Sequence, residues 1–440
     1  MNTENVETSL DPTFEPYRYE QGIEKAYLIG SEKNVVEITE KILTAAIFED
    51  LFSNTVSGNM VLKDESNLIK DQGLNGADRL VILIGRENKT TPKAFEFLVN
   101  AHSYQSINES SELITLHFVS LPLMISKSTR LWGAYKGSID SIAKNVFEDV
   151  TKNYTPSKIN DYTIETPTFE TDTTEGTIKV VSPGWTPFQL LAWLSGRATN
   201  PETSGSLFLF YQTLFDGYKF KCVEKLVKDG NVKEIDEDKI YYYGYSGAGF
   251  EKRNIKAIHI NSLGDTLKGV GEQYCNLWQT DLINKKIIKR TYSSETSSQA
   301  ILNDEVRGQL HSNNGFDFGF TEQRDKANLR AVIKNESPLT HDQMSFYTGN
   351  SLQRKYGMLR QIQTMSISIE VFADNEIKVG DVLEIKMLQK RGAESKDTLK
   401  KLLDRELSGR YLVAAKALHF TVDEVKMQLQ LVKDSVLEKE

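Results

Sequence analysis

The sequence predicts a mainly β fold of the α+β class, with two copies of one antiparallel β-module flanking a helical middle region. Three observations predict it. Residues 47–85 read as strand, turn, strand, turn and strand. A shortened version of that order returns at 365–387 and continues downstream. Between the two lie stretches with helical rather than alternating apolar spacing, at 138–151 and 186–196.

The first stretch opens with Ile47, Phe48, Glu49 and Asp50, turns at 54–58, and runs as an alternating strand over 59–62 that Asp64 ends. Ser66, Asn67, Leu68 and Ile69 carry the chain to a second turn at 74–78, which launches the apolar strand 80–84. Asn75-Gly76 supplies the positive φ of a tight turn between apolar runs. In the echo, MSISIEVFAD at 365–374 is again a strand that ends in Asp, and a turn at Gly380-Asp381 leads to another apolar strand. Phe97-Leu98-Val99 is matched by Tyr411-Leu412-Val413, and 113–120 by 427–435. Leu98 to Leu113 and Leu412 to Met427 are both 15 positions. Four elements recurring in order indicate a duplicated module. Leu98 and Leu412 are expected to face the two cores. The second copy carries extra residues between Gly380 and Tyr411, mostly a charged, helix-like run near 398–406.

The remaining elements follow in chain order. Residues 1–20 read as an acidic arm, with only Arg18 opposing five acidic residues. Short strands at 26–29 and 35–38 flank a turn opened by Gly30, and 95–106 with 113–121 form the module's last hairpin. Ser138 caps a helix whose face is Ile139, Ile142, Val146, Phe147 and Val150. Residues 154–178 lack periodicity and read as an extended loop. Thr186 caps a second helix, with Pro187 suited to its first position. Residues 206–226 form a hairpin turning at Asp216-Gly217. Residues 255–263 fit helix or strand, 273–291 paired strands, 293–300 and 313–320 loops, and 350–361 a basic helix.

Composition sets limits. The 440 residues suffice for about three domains. Hydrophobic residues make up 39% and charged residues 26%, as in ordinary soluble domains. No apolar run reaches the roughly 20 residues of a membrane span, and the polar N-terminus lacks the pattern of a secretory signal. Two cysteines, Cys222 and Cys275, are too few for a disulfide framework, so a reducing compartment is expected. A net charge of −8 disfavours general nucleic-acid affinity.

No motif carries catalysis. The histidines, His102, His117, His259, His311, His341 and His419, are too far apart for the short ligand spacings of zinc sites. Cys222 in an apolar hairpin reads as core. The glycine-rich stretches 244–249 and 264–271 lack phosphate-binding spacing. The acidic turn 234–238 fails as a calcium loop, because a loop starting at Asp236 would need Gly where Tyr241 stands. Glu49 and Asp50, adjacent on a strand, point to opposite faces and cannot flank one bond. Tyr241, Tyr242, Tyr243 and Tyr245 fit packing or a protein interface better than ligand stacking. No catalytic, cofactor-binding or metal-ligating residue is assigned.

Three stretches carry a family resemblance: IFEDLFSNTVSGNMVLKDESNLIKDQGLNGADRLVILIG at 47–85; GWTPFQLLAWLSGRA at 184–198 with the hairpin FLFYQTLFDGYKF at 208–220; and ISIEVFADNEIKVGDVLEIKM at 367–387. In order and spacing the chain resembles the central baseplate hub proteins of contractile-tailed bacteriophages. The resemblance implies two tail-tube-like antiparallel β-barrels with a helical middle region and an inserted α+β region. The expected divisions are an arm at 1–20, a first barrel at 21–124, a helical and loop domain at 125–204, and a hairpin segment at 205–245 joining the second barrel. An inserted domain at 246–344 and the second barrel at 345–437 follow. It further implies a non-enzymatic homotrimer without cofactors, whose ring of six barrels adapts a six-fold tail tube to a trimeric spike. Tube or tube-initiator proteins and baseplate wedge proteins would be its other partners. DNA would pass through without specific binding, along a neutral or acidic lining, in a virion baseplate assembled in the host cytoplasm. Segments 293–338 and 390–409 depart from a minimal hub. The rival classes are a tail-associated cell-wall hydrolase, which needs a carboxylate pair in a pocket, and a receptor-binding adhesin, which predicts longer repeats.

Overall fold

The computed structural model describes residues 21–30, 34–65, 78–86, 92–108, 111–152, 154–157, 159, 162, 164–230, 235–244, 253–263, 274–281, 285–293, 302, 309–310, 329–334, 355, 358–359, 362–363, 365–388, 403–422 and 424–436. The arm at 1–20, the turn residues 66–77 and most of 293–338, 350–361 and 390–402 lie outside them.

The first module contains β1 (Gln21–Ile29), β2 (Val35–Glu37), β3 (Ile42–Asp50), β4 (Ser57–Asp64), β5 (Arg79–Arg86), β6 (Lys93–Asn108) and β7 (Ser111–Ser120). Its strand order is β3-β4-β7-β6-β5-β1-β2. Two-residue alternation builds it. Along β4, Gly58, Met60, Leu62 and Asp64 are buried, while Ser57, Asn59, Val61 and Lys63 are only half-buried. Ala45, Ile47, Met60, Leu62, Leu80, Ile82, Phe97, Val99, Leu116 and Phe118 meet in one core. The run 80–84 is apolar throughout because β5 is covered on both faces. Val81 and Leu83 pack with Tyr27, Ile159 and Ile164 in a separate cluster.

The middle region holds α1 (Leu121–Ser128), β8 (Leu131–Gly137), α2 (Ile139–Thr151), β9 (Phe169–Thr171), β10 (Ile178–Trp185), α3 (Pro187–Ser195), β11 (Phe208–Thr213), β12 (Gly217–Cys222) and α4 (Val223–Gly230). Thr186 Oγ1 accepts from Gln189 N–H, and the Gln189 side chain accepts from Thr186 N–H, a reciprocal cap with Pro187 in the first turn. Ser138 precedes α2 as expected but makes no side-chain cap. Two expectations are corrected. The stretch 154–178 is not wholly loop, since it supplies β9, which pairs parallel with β12. The hairpin of β11 and β12 pairs with no strand of the second module; it forms its own three-stranded sheet with β9 and reaches that module through its turn, where Asp216 lies 2.8 Å from Lys378. The reason is its two apolar faces. Phe208, Phe210, Tyr218 and Phe220 pack on the helices, while Tyr211 and Leu214 enter the main core.

The strand that this segment does lend to the second module is β13 (Ile240–Tyr243), parallel to residues 384–387. The ambiguous stretch 255–263 contains strand β14 (Ala257–Leu263), which also belongs to the second module's sheet rather than to an inserted domain. The inserted part contributes β15 (Tyr274–Asp281), β16 (Lys286–Ser293), β17 (Gln309–Leu310) and β18 (Leu329–Lys334). β16-β15-β18 forms a separate sheet.

The second module is completed by β19 (Met365–Phe372), β20 (Val382–Met387), β21 (Gly409–Thr421) and β22 (Val425–Lys433), with β23 (Ser435–Val436) against β17. Its order β14-β19-β22-β21-β20 reproduces β3-β4-β7-β6-β5. The copies agree in detail. Val99 N–H donates to Asp78 O at 2.8 Å, and Val413 N–H to Asp381 O at 2.9 Å. Each long strand shifts register at the next residue, between Val99 and Ala101 and between Val413 and Ala415. Leu412 is wholly buried in the core. Leu98 is buried too, but it alternates with core residues Phe97 and Val99, so it points away from the core cluster. The helix-like run ends differently from expectation. At 404–407, Asp404 Oδ1 accepts from Glu406 and Leu407 N–H, making a turn.

The modules are joined edge to edge. β21 gives its first residues to β20 and its later ones, 415–421, to β3. One sheet therefore passes without a break from one copy of the module to the other.

Candidate functional site

The feature common to both modules is the outer face of this through-going sheet. Directly paired residues of an antiparallel ladder share a face, so the pairings read out rows across it. One row is Phe372, Lys426, His419, Ala46, Asn59, His117 and Ala101, on seven strands. The next is Glu370, Gln428, Ala417, Phe48, Ser57 and Val119. A third is Thr421, Thr44, Val61, Thr115 and Ser103. Small and uncharged polar side chains dominate. The lysines of this face are neutralised locally. Lys426 Nζ lies 3.0 Å from Glu424 and 3.5 Å from Glu370, and Lys63 lies 2.6 Å from Glu65. The hydrogen bond to Glu424 holds the Lys426 ammonium above its usual range. Phe48 and His419 meet edge to face at 6.2 Å.

The opposite side of the junction is buried and charged. Glu49 and Asp50 do face opposite ways: Glu49 is 3% exposed, while Asp50 accepts from Phe52 N–H at 2.8 Å. Burial raises the Glu49 carboxyl and lowers the nearby Lys416 ammonium, against their mutual attraction. Lys416 Nζ donates to Ile377 O at 2.7 Å. This is a structural tie of β21 to the turn before β20.

A cavity of about 500 Å³ lies between the first module, the 154–168 segment and the hairpin, and is lined by Lys93, Phe95, Tyr154, Glu170, Phe215 and Asp216 among others. Its carboxylates are engaged. Glu96 accepts from Arg79 at 2.9 Å and from Tyr154 at 3.1 Å. Glu170 lies 2.7 and 2.6 Å from Lys219 and Lys221, hydrogen bonds that pull it down to about 2. Asp216 pairs with Lys378 at 2.8 Å.

The other residues singled out in the sequence are scattered. His117 and His419 share the outer face, His259 lies on β14 and His102 on β6; His311 and His341 lie outside the described residues. Cys222 is buried, and desolvation pushes its thiol well up. Cys275 stands on β15. Tyr241, Tyr242 and Tyr243 form β13, with Tyr241 in the core; Tyr245 lies outside the described residues. Glu237 and Asp238 of the acidic turn pair with Arg253. Of the glycine-rich stretches only Gly244 is described. The small residues of the outer face were not singled out in the sequence. Their signal was present in the alternation of each strand, but no single strand shows that the rows align.

No protein-family model matches the chain, and no curated protein matches its sequence. Among solved structures, it is similar to the tail protein from Neisseria meningitidis MC58. The TM-score is 0.52 at 9% identity, over 93% of this chain and 96% of that one. It is also similar to the 43 kDa tail protein of prophage MuSo2 from Shewanella oneidensis, at TM-score 0.48 and 10% identity over 93% and 98%. An E. coli component of the type VI secretion system, described as structurally similar to T4 bacteriophage tail proteins, aligns at TM-score 0.41 and 8% identity over 90% and 74%. The likeness of fold rests on the first: the chain has the mainly β fold of that tail protein.

Proposed function

We propose that the chain is a structural baseplate hub subunit of a contractile phage tail, without enzymatic activity. Three copies form a ring of six modules that joins a six-fold tail tube to a trimeric spike, leaving a channel for DNA. The observation that carries this reading is the sheet that runs unbroken from one module to its copy, with an outer face of small, uncharged and charge-paired residues. A chain with two equivalent modules meets six-fold symmetry through three copies. Such a face suits a DNA passage, because free Lys and Arg would bind phosphates and retard the genome. The engaged carboxylates of the cavity support no acid–base pair, which favours this reading over a hydrolase. The further partners are tube or tube-initiator proteins and wedge proteins of the baseplate, where the chain resides after assembly in the host cytoplasm. Light scattering of the chain bound to its spike is expected to give three copies per particle; a stable complex with two or six contradicts the proposal.

A further inference from the structure

We infer that residues 14–20 of the chain's own N-terminal arm dock in the cavity between the first module and the hairpin, with Tyr17 among its aromatic side chains and Arg18 at Glu165. The ring proposed above is not required, since cavity and arm belong to a single chain.

The cavity combines aromatic walls with an excess of carboxylates. Phe95, Phe97, Tyr154, Phe169 and Phe215 line it. Its charged lining is Glu96, Glu165, Glu170 and Asp216 against Lys93 and Lys219. Three of these carboxylates are held closely: Glu96 by Arg79, Glu170 by Lys219 and Lys221, and Asp216 by Lys378. Glu165 differs. Its side chain is 75% exposed, and its ion pair with Lys93 is stretched to 3.9 Å. At about 500 Å³ the cavity lies within the range of about 300–1,000 Å³ in which pockets hold small ligands. That volume takes a few side chains and not a folded partner. Aromatic walls beside a loosely paired carboxylate select an aromatic, cationic peptide.

The arm supplies one. Residues 14–20 read FEPYRYE, three aromatic residues in seven, whereas the whole chain is 10% aromatic. Arg18, between Tyr17 and Tyr19, is the only Lys or Arg of residues 1–20. Segments that stay in solvent are poor in aromatic residues, so this density calls for a surface that covers it. Pro12 and Pro16 favour an extended chain, which lessens the entropy lost on docking. Alternate side chains of an extended segment point opposite ways. Tyr17 and Tyr19 therefore enter together while Arg18 turns to the rim.

The reach fits. β1 and β6 both run antiparallel to β5, so they start at the same end of the sheet. Ile23, Ile84 and Lys93 stand in one row across the three strands. Two strand spacings, with two residues along β1, put Gln21 about 12 Å from Lys93 of the lining. Tyr17 precedes Gln21 by a stretch that spans about 13 Å when extended. The arm of the same chain is long enough, and no neighbouring copy is needed. Docked there, it fastens β1 to the hairpin and to the 154–168 segment.

Trypsin reads the docking, because Arg18 is the arm's only cleavage site. Full-length chains are digested under native conditions, and each rate at Arg18 is divided by that of a synthetic peptide of residues 10–25 with the same sequence. Tyr17→Ala removes the docked ring, and Thr166→Trp, at an exposed residue of the lining, fills the space from the other side. Each is expected to be cut about tenfold faster than the wild type, and Tyr17→Phe at nearly the wild-type rate. Equal normalised rates in all four overturn the inference. Carbodiimide coupling locates the arm. Arg18→Lys puts an amine at Glu165, and the expected product is an amide between Lys introduced at 18 and Glu165 in a species of 49.8 kDa, lost in Arg18→Lys with Glu165→Gln. A product of twice that mass overturns the own-chain assignment and gives the cavity to the arm of a second copy. Coupling spread evenly over other carboxylates, or none, overturns the docking itself.

Discussion

Lys433 shows how one residue sets a pH dependence. The side chain is fully buried, its Nζ donates to Ser408 O at 2.9 Å, and it stands 4.7 Å from the Tyr411 ring centre. Desolvation, partly opposed by Asp404, Asp434 and Glu406, lowers its pKa to about 7. The unfolded chain holds this proton up to the ordinary lysine value of 10.5. Between those values the unfolded state binds more protons, so the Lys433 contribution to stability rises with pH. The penalty for the buried charge is complete below pH 7, shrinks by at most about 1.4 kcal/mol per pH unit above it, and has gone by the ordinary lysine value. Lys433→Met removes the group that titrates. Urea unfolding of both proteins at pH 7 and pH 9.5 should show the wild type gaining stability relative to the variant at the higher pH. A difference independent of pH would show that Lys433 stays charged in the folded state.

Helix α3 is legible as an element in the local sequence alone. Thr186, Pro187 and Gln189 encode its start locally, and the reciprocal cap forms as that spacing requires. Thr186→Ala deletes the side-chain acceptor and should cost about 1 kcal/mol, seen as a lowered thermal midpoint; Thr186→Ser should recover most of it. An unchanged midpoint in the alanine variant would mean that packing of Phe188, Leu190 and Leu191 alone holds the helix. Strands were harder. The stretch 255–263 fits helix or strand, because Ile255 and Ile258 keep a helical spacing while Ile258 and Ile260 alternate. β9 reads as loop in the sequence, since three residues carry no period and only their parallel pairing with residues 218–220 makes them a strand. The hairpin's turn and strands were legible, but its partner was not: with apolar residues on both faces, sequence offers no reason to prefer one sheet over another.

At the scale of the molecule, the face that spans both modules makes a prediction about charge. Adding cations at its centre should convert an inert surface into a DNA-retaining one. Asn59→Lys with Ala417→Lys places two lysines on neighbouring rows of the outer face, on β4 and β21. Filter or gel retardation with duplex DNA at low salt is expected to show little binding by the wild type. The double variant should bind, and its binding should fall steeply as salt rises. Tight, salt-sensitive binding by the wild type would contradict a neutral passage.

Sequence by itself determined the β-rich class, the two capped or amphipathic helices, and the duplication. These rest on short-range spacing: a period of two, a period near 3.6, turn residues and a repeated order. It also determined that Glu49 and Asp50 diverge and that Cys222 is core, because strand alternation decides both. Tertiary structure alone decided that β21 divides itself between β20 and β3, that β13 and β14 serve the second module, and that the small residues of seven strands align into one face. It also decided that Leu98 is buried away from the core its neighbours fill. The physical reason is that strand pairing is chosen by long-range competition among edges of similar local character. The alternation that marks a strand says which side chains share a face, and says nothing about which strand will lie beside it.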